Sequence, residues 1–362
     1  MRIKKCLVAC VVTIALVWSV SVSASSLKKR YIVVGDNFSH MKKQVEDEGE
    51  SIHHDLLYLN GFVTNLPPEV AKKLKKKLGS SAIIEEDATT HEATQTIPWG
   101  ITAVRARDAN KYNTGYGTLV CILDSGIDSD HPDLSTNILG GENFVVMNGI
   151  IDPDQWDDDR GHGTHVAGTV AARSNSYGVV GVAPRAKLFA AKVLNSSGSG
   201  YVSDLVEGIA SCIDNGADVI NMSLSTSSNS TVLRNAIETA YNAGVIVVAA
   251  AGNSNSSVAY PAKYPQVIAV SAVDSSLKKA SFSNYGPEVD FAAPGVSVYS
   301  TYKGGTYARM SGTSMAAPHV AGVAALWVAS GSEGLVGTKI SGLSTYYQGQ
   351  GLIDALKTVL NY

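Results

Sequence analysis

Five predominantly apolar runs constrain this chain more than any other feature: Leu119–Leu123, Leu188–Leu194, Val219–Leu224, Val245–Ala251 and Val267–Val273. Each has the length of a strand and lacks the strict alternation of a sheet with one wet face, which predicts strands buried on both sides. Helical stretches such as Ser203–Asn215 and Thr231–Ala243 fall between them. The alternation predicts a doubly wound α/β domain with a mostly parallel sheet. In such a domain a site forms at the carboxyl ends of the strands. The first run stops at Asp124-Ser125-Gly126 and the fourth at Gly252-Asn253, so Asp124 and Asn253 are expected there.

Two further stretches bring reactive side chains to helix starts. Ser311-Gly312-Thr313-Ser314-Met315-Ala316-Ala317-Pro318 reads as a tight turn entering an apolar helix that continues through Trp327. There the free N–H groups and the positive end of the helix dipole favour an anion beside Ser314. Capping is the ordinary role of a serine at that position, and alone the motif settles nothing. Gly161-His162-Gly163-Thr164-His165 begins another small-residue helix. A carboxylate, a base and a nucleophile thus occur in the order Asp124, His162, Ser314, an order that one known type of catalytic triad uses.

Asp124-Ser125-Gly126, Gly161-His162-Gly163-Thr164-His165 and Gly312-Thr313-Ser314-Met315-Ala316-Ala317-Pro318 resemble the three signature segments of the subtilisin-like serine proteases. Ala250-Ala251-Gly252-Asn253 resembles the oxyanion segment of the same family. The resemblance implies that His162 accepts the proton of Ser314, that Asp124 orients the imidazole, and that Asn253 and the Ser314 N–H hold the oxyanion. Without the other motifs Asn253 would read as a turn residue. His165 and His319 are expected to be packed structural residues.

The same resemblance implies a peptide bound as an added strand between two exposed segments, Gly198-Ser199-Gly200 and Ser223-Leu224-Ser225. Gly252 and Ala259 would line the acyl-side pocket, with an apolar or aromatic preference. Ser225-Thr226 departs from the two glycines usual in the family, and two side chains there would narrow that pocket. Tyr260-Pro261 is a candidate cis bond by resemblance. A calcium ion is implied between Gln95, Asp133 and the loop 173–179, using the Asn175 side chain and the carbonyls of Arg173, Tyr177 and Val179; oxygen donors of this kind suit a hard cation.

The chain before this domain divides in two. A basic start, an apolar run from Cys6 to Val20 and small residues ending at Ala24 form the pattern of a secretory signal, residues 1–24. That run is shorter than the roughly 20 residues a membrane span needs, which argues against a permanent anchor. Residues 25–93 are predicted to form β-α-β-β-α-β, a small α+β ferredoxin-like unit. The predicted elements are strands at Tyr31–Val34, Leu56–Leu59, Gly61–Asn65 and Ala82–Glu86, with helices near Met41–Glu50 and at Pro68–Leu78. The unit resembles the family's inhibitory propeptide and folding chaperone, self-cleaved near Ala93-Thr94. Residues 94–362 are then the catalytic domain.

Composition matters at three points. With Lys+Arg 29 against Asp+Glu 32 and a formal net charge of −3, the lysine run at 72–77 reads as a solvated helix face and not as a nucleic-acid site. Asp152, Asp154, Asp157, Asp158 and Asp159 form an acidic cluster, read equally as a further calcium site or as a solvated loop. Cys121 and Cys212 are the cysteines left after signal removal, and are expected as two packed thiols with a buried bridge as the alternative. The reading is a secreted, monomeric, self-maturing serine endopeptidase acting on proteins and peptides. Its rivals are an inactive binding protein on the same scaffold and a metal hydrolase using His162 and His165. Four competent catalytic positions count against the first, and the lack of a His-Glu-x-x-His pattern against the second.

Overall fold

The computed structural model of the chain describes residues 28–87, 94–146 and 149–361. The signal expected at 1–24 lies outside these, as does Ala93 of the bond expected to be cut, Ala93–Thr94. The chain divides into two compact units, Met1–Glu92 and Ala93–Tyr362.

In the first unit the described residues run β1 (Lys29–Gly35), α1 (Phe38–Glu46), β2 (Ile52–Leu56), β3 (Gly61–Leu66), α2 (Pro68–Leu78), β4 (Ala82–Glu86). The sheet is antiparallel in the order β2-β3-β1-β4. Val33, Leu66, Leu74 and Ile84 are among the residues of its core. The element order is the expected one, with one correction. The apolar run Leu56–Leu59 is not a strand beyond Leu56: Leu57–Leu59 form a 3₁₀ turn that leaves Leu57 and Tyr58 exposed, and Asn60 in the left-handed region closes it. Apolar composition there does not signal burial.

The second unit opens with two short helices, α3 (Trp99–Ala103) and α4 (Ala106–Ala109). It continues with β5 (Leu119–Asp124), β6 (Ile138–Asn143), α5 (His162–Ala171), β7 (Lys187–Lys192), α6 (Val202–Asp214), β8 (Val219–Met222), α7 (Thr231–Asn242), β9 (Ile246–Ala250) and β10 (Val267–Val273). After them come β11 (Val289–Pro294), β12 (Val298–Tyr302), β13 (Thr306–Met310), α8 (Thr313–Ser330), β14 (Gly337–Thr338), α9 (Thr345–Gln348), β15 (Leu352–Ile353) and α10 (Ala355–Val359). The order in the large sheet is β14-β15-β11-β10-β9-β8-β5-β7-β6, parallel throughout except for the β14–β15 pair at one edge. Strand β5 has β7 on one side and β8 on the other. The chain therefore reverses its direction of winding at β5, which makes the carboxyl end of β5 the topological switch point.

Alternation along β5 divides the core. Val120 and Ile122 face the layer that contains α5 and α8, while Cys121 and Leu123 face the layer of α6 and α7. Cys121 thereby meets Cys212 of α6, and the two form a disulfide with Cα atoms 5.8 Å apart. The expectation of two separate thiols is overturned, because strand parity and helix phase aim both side chains into one layer. Between α8 and α9 the segment 331–344 carries no helix, as its glycine and serine content suggests.

The bridge ties β5 to α6 across a sequence separation of 91. Loops of that size are expected to gain about 4 kcal/mol from closure. Cys212→Ser should lower the denaturant midpoint accordingly, and thiol labelling of the unfolded, unreduced chain should modify neither Cys121 nor Cys212. Labelling of either would show that the bridge does not form.

Candidate active site

Asp124 ends β5 with its carboxylate fully buried, and His162 begins α5. His162 Nδ1 donates to Asp124 Oδ1 at 2.7 Å. That bond sets the tautomer and leaves Nε2 as the ring nitrogen available to the cleft. The two elements come close because Gly163 lacks a side chain: a Cβ there would lie 2.1 Å from the Gly126 carbonyl oxygen.

Burial disfavours the imidazolium of His162, but the charge and hydrogen bond of Asp124 outweigh it and leave the pKa above its ordinary 6.5. His165 is different. Its Nε2 lies 3.0 and 3.2 Å from the carbonyls of Val298 and Ala308, away from the cleft, and burial lowers its pKa to about 4. His319, buried in α8, donates from Nδ1 to Met315 O at 2.9 Å and is lowered likewise to about 4. Both histidines are packed residues, as expected.

Ser314 lies in the first turn of α8, where its N–H has no intrahelical acceptor. Four residues on, Pro318 has no N–H to offer the Ser314 carbonyl. Ser223 Oγ, following β8, fills that vacancy at 2.8 Å. Asn221 Nδ2 donates in turn to Ser223 Oγ at 2.9 Å. Thr313 holds the neighbouring amide: its N–H and Oγ1 donate to Asn253 Oδ1 at 2.8 and 2.9 Å, which leaves Asn253 Nδ2 free to donate. Gly252, just before it, has φ +107 and no room for a Cβ against Asn284. Ser314 and His162 line one cleft of about 430 Å³, with no hydrogen bond between them in the free chain. Such bonds commonly tighten only when substrate arrives.

Gly198, Ser199 and Gly200 line that cleft opposite Leu224 and Ser225, as expected. Ser223 lines the same cleft, 3% exposed, with its hydroxyl turned to the Ser314 carbonyl. Gly252, Asn253 and Ala259 line an adjoining cavity of about 310 Å³ together with Ser225 and Thr226. Thr226 pairs with Tyr260 through two backbone hydrogen bonds of 2.7 and 3.0 Å, and Tyr260–Pro261 is cis. Lys263 also borders this cavity, 3.6 Å from Glu288.

Five of the six residues expected to hold calcium meet at one point, Gln95, Arg173, Asn175, Tyr177 and Val179. Gln95 Nε2 stands 2.6 Å from Arg173 O, 3.0 Å from Asn175 Oδ1, 3.3 Å from Tyr177 O and 3.0 Å from Val179 O. An amide nitrogen has two hydrogens and cannot serve four acceptors. Four oxygens converging on one point are a donor set that would fit a hard cation. Asp133 joins the cluster through Asn175 Nδ2 at 2.7 Å and Val179 N at 2.8 Å. Of the described residues, no group of three or more His, Cys, Asp or Glu converges as a metal site.

The acidic cluster divides: Asp154 and Asp157 are exposed, as a solvated loop would have them, whereas Asp158 and Asp159 are taken up by protein groups. Asp158 is 5% exposed and accepts from Ser125 Oγ, Arg160 N, Gly161 N, Thr164 N and Thr164 Oγ1. Asp159 binds the buried Lys192, whose Nζ also reaches Ser125 O at 2.7 Å. These carboxylates hold the segment before His162 against the end of β5. Sequence reasoning missed Asp158, Ser125, Thr313 and Lys192. Only Asp158 carried a local signal, an acidic side chain just ahead of a helix start.

The sequence profile of the subtilase family matches residues 115–339. Subtilisin E of Bacillus subtilis (strain 168) is 42% identical to this chain over 98% of both. Thermostable alkaline protease of Halalkalibacterium halodurans is 44% identical over 87% of this chain and 85% of its own. M-protease of Shouchella clausii is 44% identical over 88% and 86%.

The electrostatics of His162 can be tested directly. An NMR titration of its ring should give a midpoint above 6.5, and Asp124→Asn should drop it below 6.5, because burial, the largest influence, then prevails together with the Arg160 charge over that of Asp158. A midpoint unmoved by the substitution would refute the coupling.

Proposed function

The chain belongs to the subtilase family, and from that membership we propose a secreted precursor that matures itself and hydrolyses peptide bonds through Asp124, His162 and Ser314. It is a subtilisin-like serine endopeptidase acting on proteins. The observation that carries the finer reading is the 2.7 Å bond from His162 Nδ1 to Asp124, which leaves Nε2 facing the cleft that Ser314 also lines.

In this mechanism Ser314 Oγ attacks the scissile carbonyl and its proton passes to His162 Nε2. Asp124 remains ionised and stabilises the imidazolium. The oxyanion lies between the Ser314 N–H and Asn253 Nδ2, the amide hydrogen that Thr313 leaves unengaged. His162 then protonates the leaving amine, and water attacks the acyl-enzyme with His162 again as base. Base function requires neutral imidazole, so kcat/KM falls as pH drops through the raised pKa of His162.

The substrate lies as an extended strand between Gly198–Gly200 and Leu224–Ser225, its acyl-side residue entering the Gly252–Ala259 cavity. Ser225 and Thr226 narrow that cavity and restrict bulky side chains. Calcium would be held by Gln95, Asp133, the Asn175 side chain and the carbonyls of Arg173, Tyr177 and Val179, and would supply stability, taking no part in the chemistry. Residues 1–24 direct export, residues 25–93 act as a transient inhibitor and chaperone, and the mature enzyme is a monomer.

Three outcomes are expected. Intact mass of the exported wild type should begin near Thr94, whereas Ser314→Ala, made in a host without extracellular proteases, should retain residues 25–93; equal processing of both would refute self-cleavage. Asn253→Ala should lower kcat by about 10²–10³, the known cost of removing such a donor in a subtilisin. Chelation should lower the thermal midpoint, with about 2.7 kcal/mol of stability returned at a calcium concentration 100-fold above Kd. Asn175→Ala should abolish that calcium dependence.

A further inference from the structure

The wall of the cleft beside His162 holds one formal charge. Of the residues lining it, Arg160 alone is a lysine, arginine, aspartate or glutamate. Its guanidinium reaches across to the facing loop, where Nη1 donates to Ser196 O at 3.2 Å. It packs so closely over Gly198 that a Cβ there would lie 2.5 Å from Arg160 Cζ. Among the described residues no carboxylate lies within salt-bridge distance of it, and neighbouring acids are engaged elsewhere. Asp158 is taken up by main-chain and hydroxyl donors, Asp159 binds Lys192 at 2.9 Å, and Asp204 accepts from Tyr201 N at 3.0 Å. On the other side of His162 a second groove is lined by Arg160 and by Lys303, whose Nζ contacts a main-chain carbonyl, Asp159 O. Two cations without acidic partners therefore border the catalytic histidine.

We infer that Arg160 is a specificity-determining residue that selects an acidic side chain at the second residue on the acyl side of the scissile bond. This rests on the endopeptidase reading and deepens it. Successive side chains of an extended strand point to opposite faces. When the first acyl-side residue enters the Gly252–Ala259 cavity, the second points the other way, toward His162, Leu194 and Arg160. A carboxylate placed there meets a guanidinium that is already positioned and has no carboxylate to exchange. The chain's own sequence agrees. Glu92 is the second acyl-side residue of Ala93–Thr94, the bond expected to be cut in maturation.

The test uses mature enzyme from the full-length precursor and three peptides that differ only at this second position, Glu, Ala or Lys. An exposed ion pair changes binding by a small factor, and reversing the substrate charge compounds it. Wild type should cleave the Glu peptide with kcat/KM about threefold above Ala and about tenfold above Lys, and about 1 M salt should compress both ratios. Arg160→Gln should bring the Glu/Lys ratio within about twofold of unity, and Arg160→Glu should invert it. The wild-type ratios and their salt dependence stand as a test even where a variant does not fold. Equal cleavage of the three peptides, or a ratio unmoved by Arg160→Gln, would overturn the assignment and leave the endopeptidase reading intact. Failure to cut any of them would overturn that reading, and the assignment with it.

Discussion

The second unit is built around a buried carboxylate. Asp124 sits at the switch point of a parallel sheet, out of contact with water, where an unpaired charge would be costly. His162 and the Ser125 N–H partner one of its oxygens at 2.7 Å each. The surroundings keep that pairing in place. Asp158 ties Ser125 to the start of α5, Lys192 ties the Ser125 carbonyl to Asp159, and the bare backbones of Gly126 and Gly163 let the two segments approach. One carboxylate oxygen, Oδ1, is thus held twice, while the buried Oδ2 has no partner among the described residues.

Ser314, the proposed nucleophile, is placed by a gap in a helix ladder. Pro318 removes the hydrogen bond that would have ended on the Ser314 carbonyl, and Ser223 supplies a replacement from the neighbouring strand. The first turn of α8 is thus anchored to β8 as well as to its own axis. Thr313 performs the matching service for Asn253, so the two proposed oxyanion donors are fixed by adjacent residues of a single turn. Rigid anchoring of both donors is what allows them to meet developing charge without reorganising.

Much of this was legible in residue order, and the exceptions share a cause. Asp124, His162, Ser314 and Asn253 stand in short segments whose local grammar is strand end or helix start, which sequence displays. The residues expected to hold calcium likewise include a compact loop, 173–179. Asp158, by contrast, read only as one of five acids, because its significance lies in contacts with Ser125 and Thr164, which β-strand and helix bring to it. The Cys121–Cys212 bridge was misjudged for the same reason: strand and helix positions are evident, but not that both thiols face the same layer. Leu57 and Tyr58 show the opposite error, in which apolar composition was taken for a buried strand.

By itself the sequence determined the kinds of element, their order and the residues able to do chemistry, since hydrophobic period, glycine and proline placement and short motifs are local properties. Tertiary structure alone decided which groups share an environment. It turned Asp158 and Asp159 into the clamp before His162, buried Ser223 beneath Ser314, paired Cys121 with Cys212 and left Arg160, among the described residues, without a carboxylate beside the cleft. Those outcomes depend on distances between residues far apart in the chain. Only the packing of the sheet against its two helical layers sets them.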